Sequence, residues 1–154
     1  MVNKTEGIKI VAQNKKASFN YYLSDFLECG IELKGSEIKS IRNGGCSISD
    51  SYVLVKSGEA FVLNMNIATY DKASNFNHDP LRTRKLLLHK KELSKLESKV
   101  ILSGYTIVPL KIYLKKGRCK VEIALGKGKK LYDKREVIKN RDIDRSLKKA
   151  IKRD

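Results

Sequence analysis

Cysteine and histidine are scarce in this sequence. Cys29, Cys46 and Cys119 are odd in number and widely separated, without a paired CxxC spacing, and only His78 and His89 could accompany them as metal ligands. These counts argue against a disulfide scaffold and against a structural zinc site. We therefore expect no cofactor and no metal, and each cysteine should fill a small apolar site.

Long apolar runs are also missing. The segment MVNKTEGIKIVAQNKKA lacks the uninterrupted apolar core of a signal peptide, and no stretch of the chain is long enough to span a bilayer. From this we expect a soluble, cytoplasmic protein.

The chain lacks a recognisable catalytic motif. Neither histidine lies in a nucleophile motif: we expect His78 in a loop and His89 packed on the apolar face of a helix. The segment GKGKK lacks the strand–turn–helix context and the Ser or Thr of a nucleotide-binding loop. The sequence therefore predicts no enzyme activity.

What the sequence does have is positive charge. It holds 33 Lys and Arg against 17 Asp and Glu, a net charge of +16 at pH 7, and 41% hydrophobic residues, enough for one domain with a core. Nearly half of the excess, +7, lies in residues 126–154. The pattern predicts a domain over 1–125, a basic tail over 126–154, and a polyanionic partner such as nucleic acid.

Several short apolar runs separated by turn residues predict strands. FNYYLSDFLECGIEL favours a strand, and Ser57-Gly58 and Lys116-Gly117 each divide two apolar runs, as in hairpins. Pro109 indicates an edge or a bulge. The predicted inward residues are Phe61, Leu63, Met65 and Ile67 in the first hairpin, and Cys119, Val121, Ile123 and Leu125 in the second. The sequence thus predicts a small β-barrel or sandwich.

Two helices are predicted beside these strands. One would begin at Asp79-Pro80 and end before Gly104, with Leu81, Leu86, Leu93, Leu96 and Val100 on one face. A shorter helix is predicted in SEIKSIRNGG, with Ser36 as its cap.

Tyrosines lie among lysines on the predicted strands and loops, an arrangement that allows base stacking beside phosphate contacts. The alternative is that the rings belong to the barrel core and the lysines to a solvated face. The tyrosines concerned are Tyr21, Tyr22, Tyr70, Tyr105 and Tyr113.

Four stretches carry a family resemblance: NKKASFNYYL, GIELKGSEIKSIRNG, DPLRTRKLLLHKKEL and TIVPLKIYLKKGRCKVEIALGKGKKLYDKR. Together they resemble the small protein B family, the SsrA-binding proteins of bacteria. The resemblance implies an oligonucleotide-binding-like (OB-like) antiparallel barrel with flanking helices. It implies a non-enzymatic role in trans-translation: the barrel binds the tRNA-like domain of transfer-messenger RNA (tmRNA) in place of an anticodon arm. It further implies small-subunit rRNA as a partner, elongation factor Tu as a partner reached through the RNA, no membrane partner, and a monomer.

By matching position, the resemblance also implies an RNA-binding surface. Tyr22 could stack on an unpaired base, whereas Asn14 and Glu37 could hydrogen-bond base edges or 2′-hydroxyls. Alternatively, Glu37 is a surface charge paired with Lys39 or Arg42. The implied RNA-binding residues are Asn14, Lys15, Lys16, Tyr22, Glu37, Lys39 and Arg42.

For the tail, the resemblance implies that Gly126 and Gly128 form a hinge and that the residues after it reach the ribosomal decoding centre. Tyr132 stands where several relatives carry histidine. Its ring could still stack on a ribosomal base, but it lacks the titratable nitrogen that a proton-dependent role would need. Helical spacing groups Val137, Ile143, Leu147, Ala150 and Ile151, so we expect a tail that is disordered when free and helical along an empty messenger channel. The implied decoding-centre residues are Gly126, Lys127, Gly128, Lys129, Lys130, Tyr132, Asp133, Lys134 and Arg135, and the channel-helix residues are Ile143, Leu147 and Ile151.

Three other functions fit the charge. A general rRNA-binding ribosomal protein or translation factor would share the barrel and the basic tail. A peripheral membrane or partner-helix binder would use the amphipathic tail, although that tail has no Trp or Phe. A nuclease would need a site that the sequence does not reveal.

Overall fold

A computed structural model describes residues 7–69 and 77–129, together with position 135. Strands dominate these residues, and no described helix is long and apolar enough to cross a membrane. In chain order the elements are β1 (Ile8–Gln13), α1 (Ala17–Asn20), β2 (Tyr21–Ile31), α2 (Gly35–Arg42), β3 (Cys46–Ser47), β4 (Tyr52–Lys56), β5 (Glu59–Leu63), β6 (Asn66–Ile67), β7 (Arg84–Leu87), α3 (Lys90–Ser103), β8 (Thr106–Lys115) and β9 (Arg118–Gly128).

Six antiparallel strands close into a ring. Their order is β8–β4–β5–β7–β2–β9, and β9 pairs again with β8 to complete the barrel. The seventh strand, β1, pairs with the second half of β8, while β3 and β6 form a separate two-stranded ladder. Apolar side chains such as Val62, Ile112 and Val121 are fully buried inside. The predicted fold class, a mainly β protein built on a small antiparallel barrel with helices, is confirmed.

Both predicted hairpins are present. Ser57 and Gly58 have φ of 54° and 73°, and Lys116 and Gly117 have φ of 51° and 77°. Two consecutive residues with positive φ match the right-handed twist of the flanking strands. The ladder between β8 and β9 slips between Pro109 and Lys111, so the predicted bulge is also confirmed.

The inward faces of the hairpins were predicted with mixed success. The expected set in β9 is buried throughout, from Cys119 to Leu125. In β5 the prediction was wrong by one residue: Ala60 and Val62 are buried, whereas Phe61 and Leu63 are half-buried. Asn64 has φ of 58° and ends the strand, so the chain turns before the predicted inward pair Met65 and Ile67, which are buried.

The predicted long helix is wrong over its first half. Residues 84–87 form β7, which pairs with β5 on one edge and β2 on the other. Helix α3 begins after His89, whose backbone N–H donates to the Glu92 carboxylate at 3.2 Å, and ends at Gly104 (φ 67°) as predicted. Pairing on two edges outweighs the helical propensity of Arg-Lys-Leu-Leu. His89 is consequently exposed at the helix cap and is not packed among apolar residues.

The short helix α2 is present where it was predicted, but its cap is different. Lys34 is the N-cap, and its N–H donates to Glu37 Oε1 at 2.8 Å. Ser36 lies inside the helix, and its hydroxyl bonds His78.

The cysteines are unpaired, and two of them fill apolar sites as predicted. Cys29 and Cys119 are buried, and Cys46 is half-buried against the core. Burial raises the pKa of each thiol to about 12. All three should therefore remain protonated and poorly reactive at neutral pH.

Candidate nucleic-acid interface

One basic corner forms where the end of β1 meets α1 and the end of β9. Lys15 and Lys16 are exposed just before α1. The backbone N–H of Asn14 donates to the Leu110 carbonyl at 2.8 Å, and its side-chain amide donates to the Pro109 carbonyl at 3.3 Å. The β8 bulge thus fixes the segment that presents the two lysines.

The end of β9 and the residue after it add two more lysines to this corner, and β2 adds an aromatic ring. Tyr22 of β2 is opposite Lys127 in the ladder, and its ring is about half exposed (51%). Lys129 Nζ lies 4.9 Å from the centroid of the Tyr22 ring and donates to the Ser18 carbonyl at 3.0 Å. An exposed ring beside ammonium groups can stack on a base while the lysines meet its phosphates. We call this group of Asn14, Lys15, Lys16, Tyr22, Lys127 and Lys129 the α1 corner.

A second basic group lies at the end of α2, where Lys39 and Arg42 are exposed. Lys9 of β1 donates to the Arg42 carbonyl at 3.5 Å, so β1 begins beside α2. Asn14 directly follows β1 and lies five positions after Lys9, about 17 Å at ~3.4 Å per residue. The two basic groups are therefore the ends of one strand-length surface.

Glu37 does not belong to that surface. Its side chain is completely buried and lies between Arg82, at 2.7 Å, and Arg84, whose Nε also donates to it. Burial alone would raise the pKa of Glu37, but hydrogen bonds from Arg82, the Lys34 N–H and Arg84 outweigh it and hold the pKa below its usual range. Both functional expectations for Glu37, an RNA contact and a surface pair with Lys39 or Arg42, are corrected. A carboxylate with no exposed surface cannot reach RNA without rearrangement.

Arg84 extends this buried network to the segments that follow β5 and precede β7. Its side chain is 0% exposed and donates to the carbonyls of Met65 at 2.7 Å and Pro80 at 3.2 Å. Sequence reasoning missed Arg82 and Arg84. The signal was the spacing of two between Arg82 and Arg84 just before the run Leu86–Leu88, since residues two apart in an extended segment lie on one face.

His78 is a second buried link to α2. Its Nε2 lies 2.9 Å from the Ile67 carbonyl, which can only accept, so Nε2 donates this hydrogen bond, and Nδ1 is hydrogen-bonded to the Ser36 hydroxyl at 2.9 Å. His78 lies in a loop, as predicted, and its side chain is buried. Together with Glu37 it fixes the helix that carries Lys39 and Arg42.

The remaining tyrosines divide between core and surface. Tyr113 is buried, and both burial and its hydrogen bond to Glu28 raise its pKa. Tyr21 and Tyr105 are half-buried, and Tyr70 lies outside the described residues. Of the rings proposed for stacking, Tyr22 is the one that the described structure leaves half exposed.

The residues of the predicted hinge belong to strand β9 of the barrel. Gly126, Lys127 and Gly128 are paired with β2, and Lys129 N–H donates to the Asn20 carbonyl at 2.9 Å. A Cβ at Gly126 would lie 3.0 Å from both the Tyr21 ring and Val108, so this glycine serves a close approach and not a hinge. The predicted roles of Lys130, of residues 132–134 and of the channel-helix residues at 143, 147 and 151 fall outside the described residues. Arg135 is described at one exposed position, and its role stays a prediction.

Within residues 7–69 and 77–129, no three His, Cys, Asp or Glu side chains meet in a way that could hold a metal ion. The side chains that the α1 corner offers for chemistry are ammonium groups, an amide and a tyrosine ring. Such groups bind polyanions.

Comparisons with known proteins agree with this arrangement. The family model described as "SmpB protein" matches residues 11–153. The SsrA-binding protein of Persephonella marina is 56% identical over 146 residues, covering 95% of this chain and 96% of the relative. That of Caldicellulosiruptor saccharolyticus is 51% identical over 150 residues, covering 97% and 95%. A solved structure described as "tmRNA-SmpB: a journey to the center of the bacterial ribosome" superposes with a TM-score of 0.65 at 43% identity, covering 81% of this chain and 86% of that chain. The chain therefore belongs to the SmpB family.

Proposed function

We propose that this protein binds tmRNA and acts with it in trans-translation, the rescue of stalled ribosomes in the cytoplasm. The observation that carries the proposal is the basic surface running from the α1 corner along β1 to Lys39 and Arg42. The relatives named SsrA-binding proteins and the tmRNA–SmpB neighbour support it. In this proposal the protein contributes binding and positioning, and it catalyses no reaction.

The barrel would grip the tRNA-like domain of the RNA and stand in place of an anticodon arm. Lysines along the surface would offset phosphate charge, and Tyr22 would stack on an unpaired base. Phosphate contacts alone do not distinguish RNAs, so selectivity would come from side chains that meet unpaired bases, among them the Tyr22 ring and the Asn14 amide. Elongation factor Tu would meet the complex through the RNA, with one protein chain acting as a monomer.

Residues 130–154 would act on the ribosome. In this proposal Lys130, Tyr132, Asp133, Lys134 and Arg135 reach the decoding centre. Ile143, Leu147 and Ile151 form the apolar stripe of a helix in the empty messenger channel. An intact message would exclude that helix sterically, so the segment would report that the message is absent.

The first experiment separates selective from general RNA binding. Affinity for tmRNA and for an ordinary tRNA is titrated across a salt series, for the full chain and for a variant ending at Lys129. Because β9 runs to Gly128, ending the chain at Leu125 would remove three paired residues of the barrel. Both proteins should prefer tmRNA at every salt concentration. A preference that disappears with rising salt would instead favour a general rRNA-binding protein.

The second experiment tests the apolar stripe in the full chain. Leu147→Glu places a charge in the stripe, and Ser146→Glu places the same charge at the neighbouring polar position. In a reconstituted tagging assay Leu147→Glu should lose peptide tagging while retaining tmRNA binding, whereas Ser146→Glu should retain both. Equal tagging by the two variants would contradict the proposed channel helix.

A further inference from the structure

A polar cleft of about 390 Å³ opens between α1, the β3–β4 loop and the start of β8. Its floor is formed by the buried residues Ala17 and Val108, and Asn14, Asn20 and Asp50 are among its polar lining residues. The volume falls within the range of small-molecule sites, roughly 300–1,000 Å³. Apart from Asn14 and the ring of Tyr21, none of the lining residues was a candidate from the sequence.

The unusual group in this cleft is the carboxylate of Asp50. It is exposed and forms no ion pair with any residue in the described ranges, although the chain carries a net charge of +16. The loop that presents it is fixed, because the buried hydroxyl of Ser51 donates to the Ile48 carbonyl at 2.7 Å. A carboxylate beside an RNA-binding surface repels phosphates, so its place there is favourable only if it accepts hydrogen bonds from the ligand.

An aromatic wall accompanies the carboxylate. Tyr52 lines the cleft and is 38% exposed, and Leu54, two residues along the same face of β4, is 50% exposed. On the other side Lys15 and Lys16 precede α1, and Lys129 is bonded to the Ser18 carbonyl. A planar group in the cleft would therefore have a ring to stack on and ammonium groups near its flanking phosphates.

We propose that this cleft receives one unpaired guanine of the bound RNA, an inference that rests on the proposed function. Guanine presents two adjacent donors, N1–H and the N2 amino group, to a carboxylate that can only accept. Adenine and cytosine present one amino donor next to a ring acceptor, and uracil presents one imino donor between two carbonyls. The acceptors of those three bases face the Asp50 charge, so guanine is the base that the cleft selects.

Short uridine oligonucleotides that differ in one central base test this inference with the full-length protein. Fluorescence anisotropy at one salt concentration should show that a central guanine binds about tenfold more tightly than uracil, adenine or cytosine. Asp50→Asn should abolish that preference, even though removal of a negative charge raises affinity for every oligonucleotide. Glu32→Gln makes the same change of charge at an exposed residue outside the cleft lining and should keep the preference.

Three results would overturn the inference: equal affinity for all central bases, no binding of any oligonucleotide, or a guanine preference that survives in Asp50→Asn. Full-length tmRNA is titrated in parallel. Tight binding of tmRNA without a base preference removes the guanine site and leaves the proposed function intact, whereas absence of tmRNA binding refutes the proposed function itself.

Discussion

The substitution Glu37→Gln should destabilise the barrel strongly. Glu37 and Arg84 are both 0% exposed, and the carboxylate also accepts from Arg82 and from the Lys34 N–H. Glutamine removes the negative charge and turns an N–H₂ group toward guanidinium donors. Removing one partner of a buried ion pair costs about 3–5 kcal/mol. Since a domain is stable by about 5–15 kcal/mol in total, the loss takes a large share of the free energy of unfolding.

Urea unfolding followed by circular dichroism measures this loss. Glu32→Gln is the control, because it makes the same chemical change at an exposed carboxylate on the neighbouring segment, and it should change the free energy of unfolding by less than about 0.5 kcal/mol. Adding Arg84→Met to Glu37→Gln should recover part of the loss, since the unpaired buried charge is then gone. The double-mutant cycle should give a coupling energy above ~1 kcal/mol.

A loss below about 1 kcal/mol for Glu37→Gln, at an unchanged m-value, would refute this reasoning. It would mean that Arg84 reaches water or another acceptor once Glu37 is neutral. The network would then be peripheral to stability, and α2 would be held by its other contacts.

Further predictions concern pH, packing, thiol chemistry and RNA. The pKa of Glu37 is lower in the folded state than its unfolded value of 4.5. Its contribution to stability is therefore fully present above pH 4.5 and is lost as the pH falls through the folded pKa. Urea titrations should show this acid loss of stability in the native protein and not in Glu37→Gln. Gly126→Ala should destabilise by about 1–3 kcal/mol through contact with Tyr21, whereas a Cβ at Gly128 meets nothing within 4 Å and Gly128→Ala should be near neutral in the same unfolding assay. With pKa values of about 12, the three thiols should react slowly with a disulfide reagent at pH 8 in the native protein and rapidly in denaturant; rapid native reaction would contradict their burial. Tyr22→Ala should weaken tmRNA binding by about 1–3 kcal/mol in the salt-series titration, while Tyr22→Phe retains the ring and most of the affinity.

The hairpins were predictable because their signals are local. Two consecutive positive-φ residues between apolar runs define each turn, and the inward set of β9 follows from strict alternation. The one-residue error in β5 arose at Asn64, where a single left-handed residue resets the alternation. A non-glycine residue with positive φ leaves little trace in sequence periodicity.

The remaining errors have a non-local cause. The segment Arg-Lys-Leu-Leu has the local pattern of a helix, but it forms β7 because two strands from elsewhere in the chain pair with it. Likewise, nothing near Glu37 in sequence indicates that arginines more than 40 positions away bury it. Of the proposed RNA contacts, those that depend on local exposure, such as Lys15 and Lys16, could be predicted; the inward position of Glu37 required the tertiary fold.

Strand β9 has a consequence for how the protein is made. Its first ladder partner, β8, precedes it directly, but its other partner begins at Tyr21, 107 positions before Gly128. The ladder between β2 and β9 therefore cannot be completed during synthesis until Gly128 is available to pair, and contacts that distant in sequence form slowly. A chain whose translation stops before β9 would expose the open edges of β2 and β8, and it would lack Lys127 and Lys129, two of the six residues of the α1 corner. Incomplete copies would thus bind the RNA less tightly than complete ones.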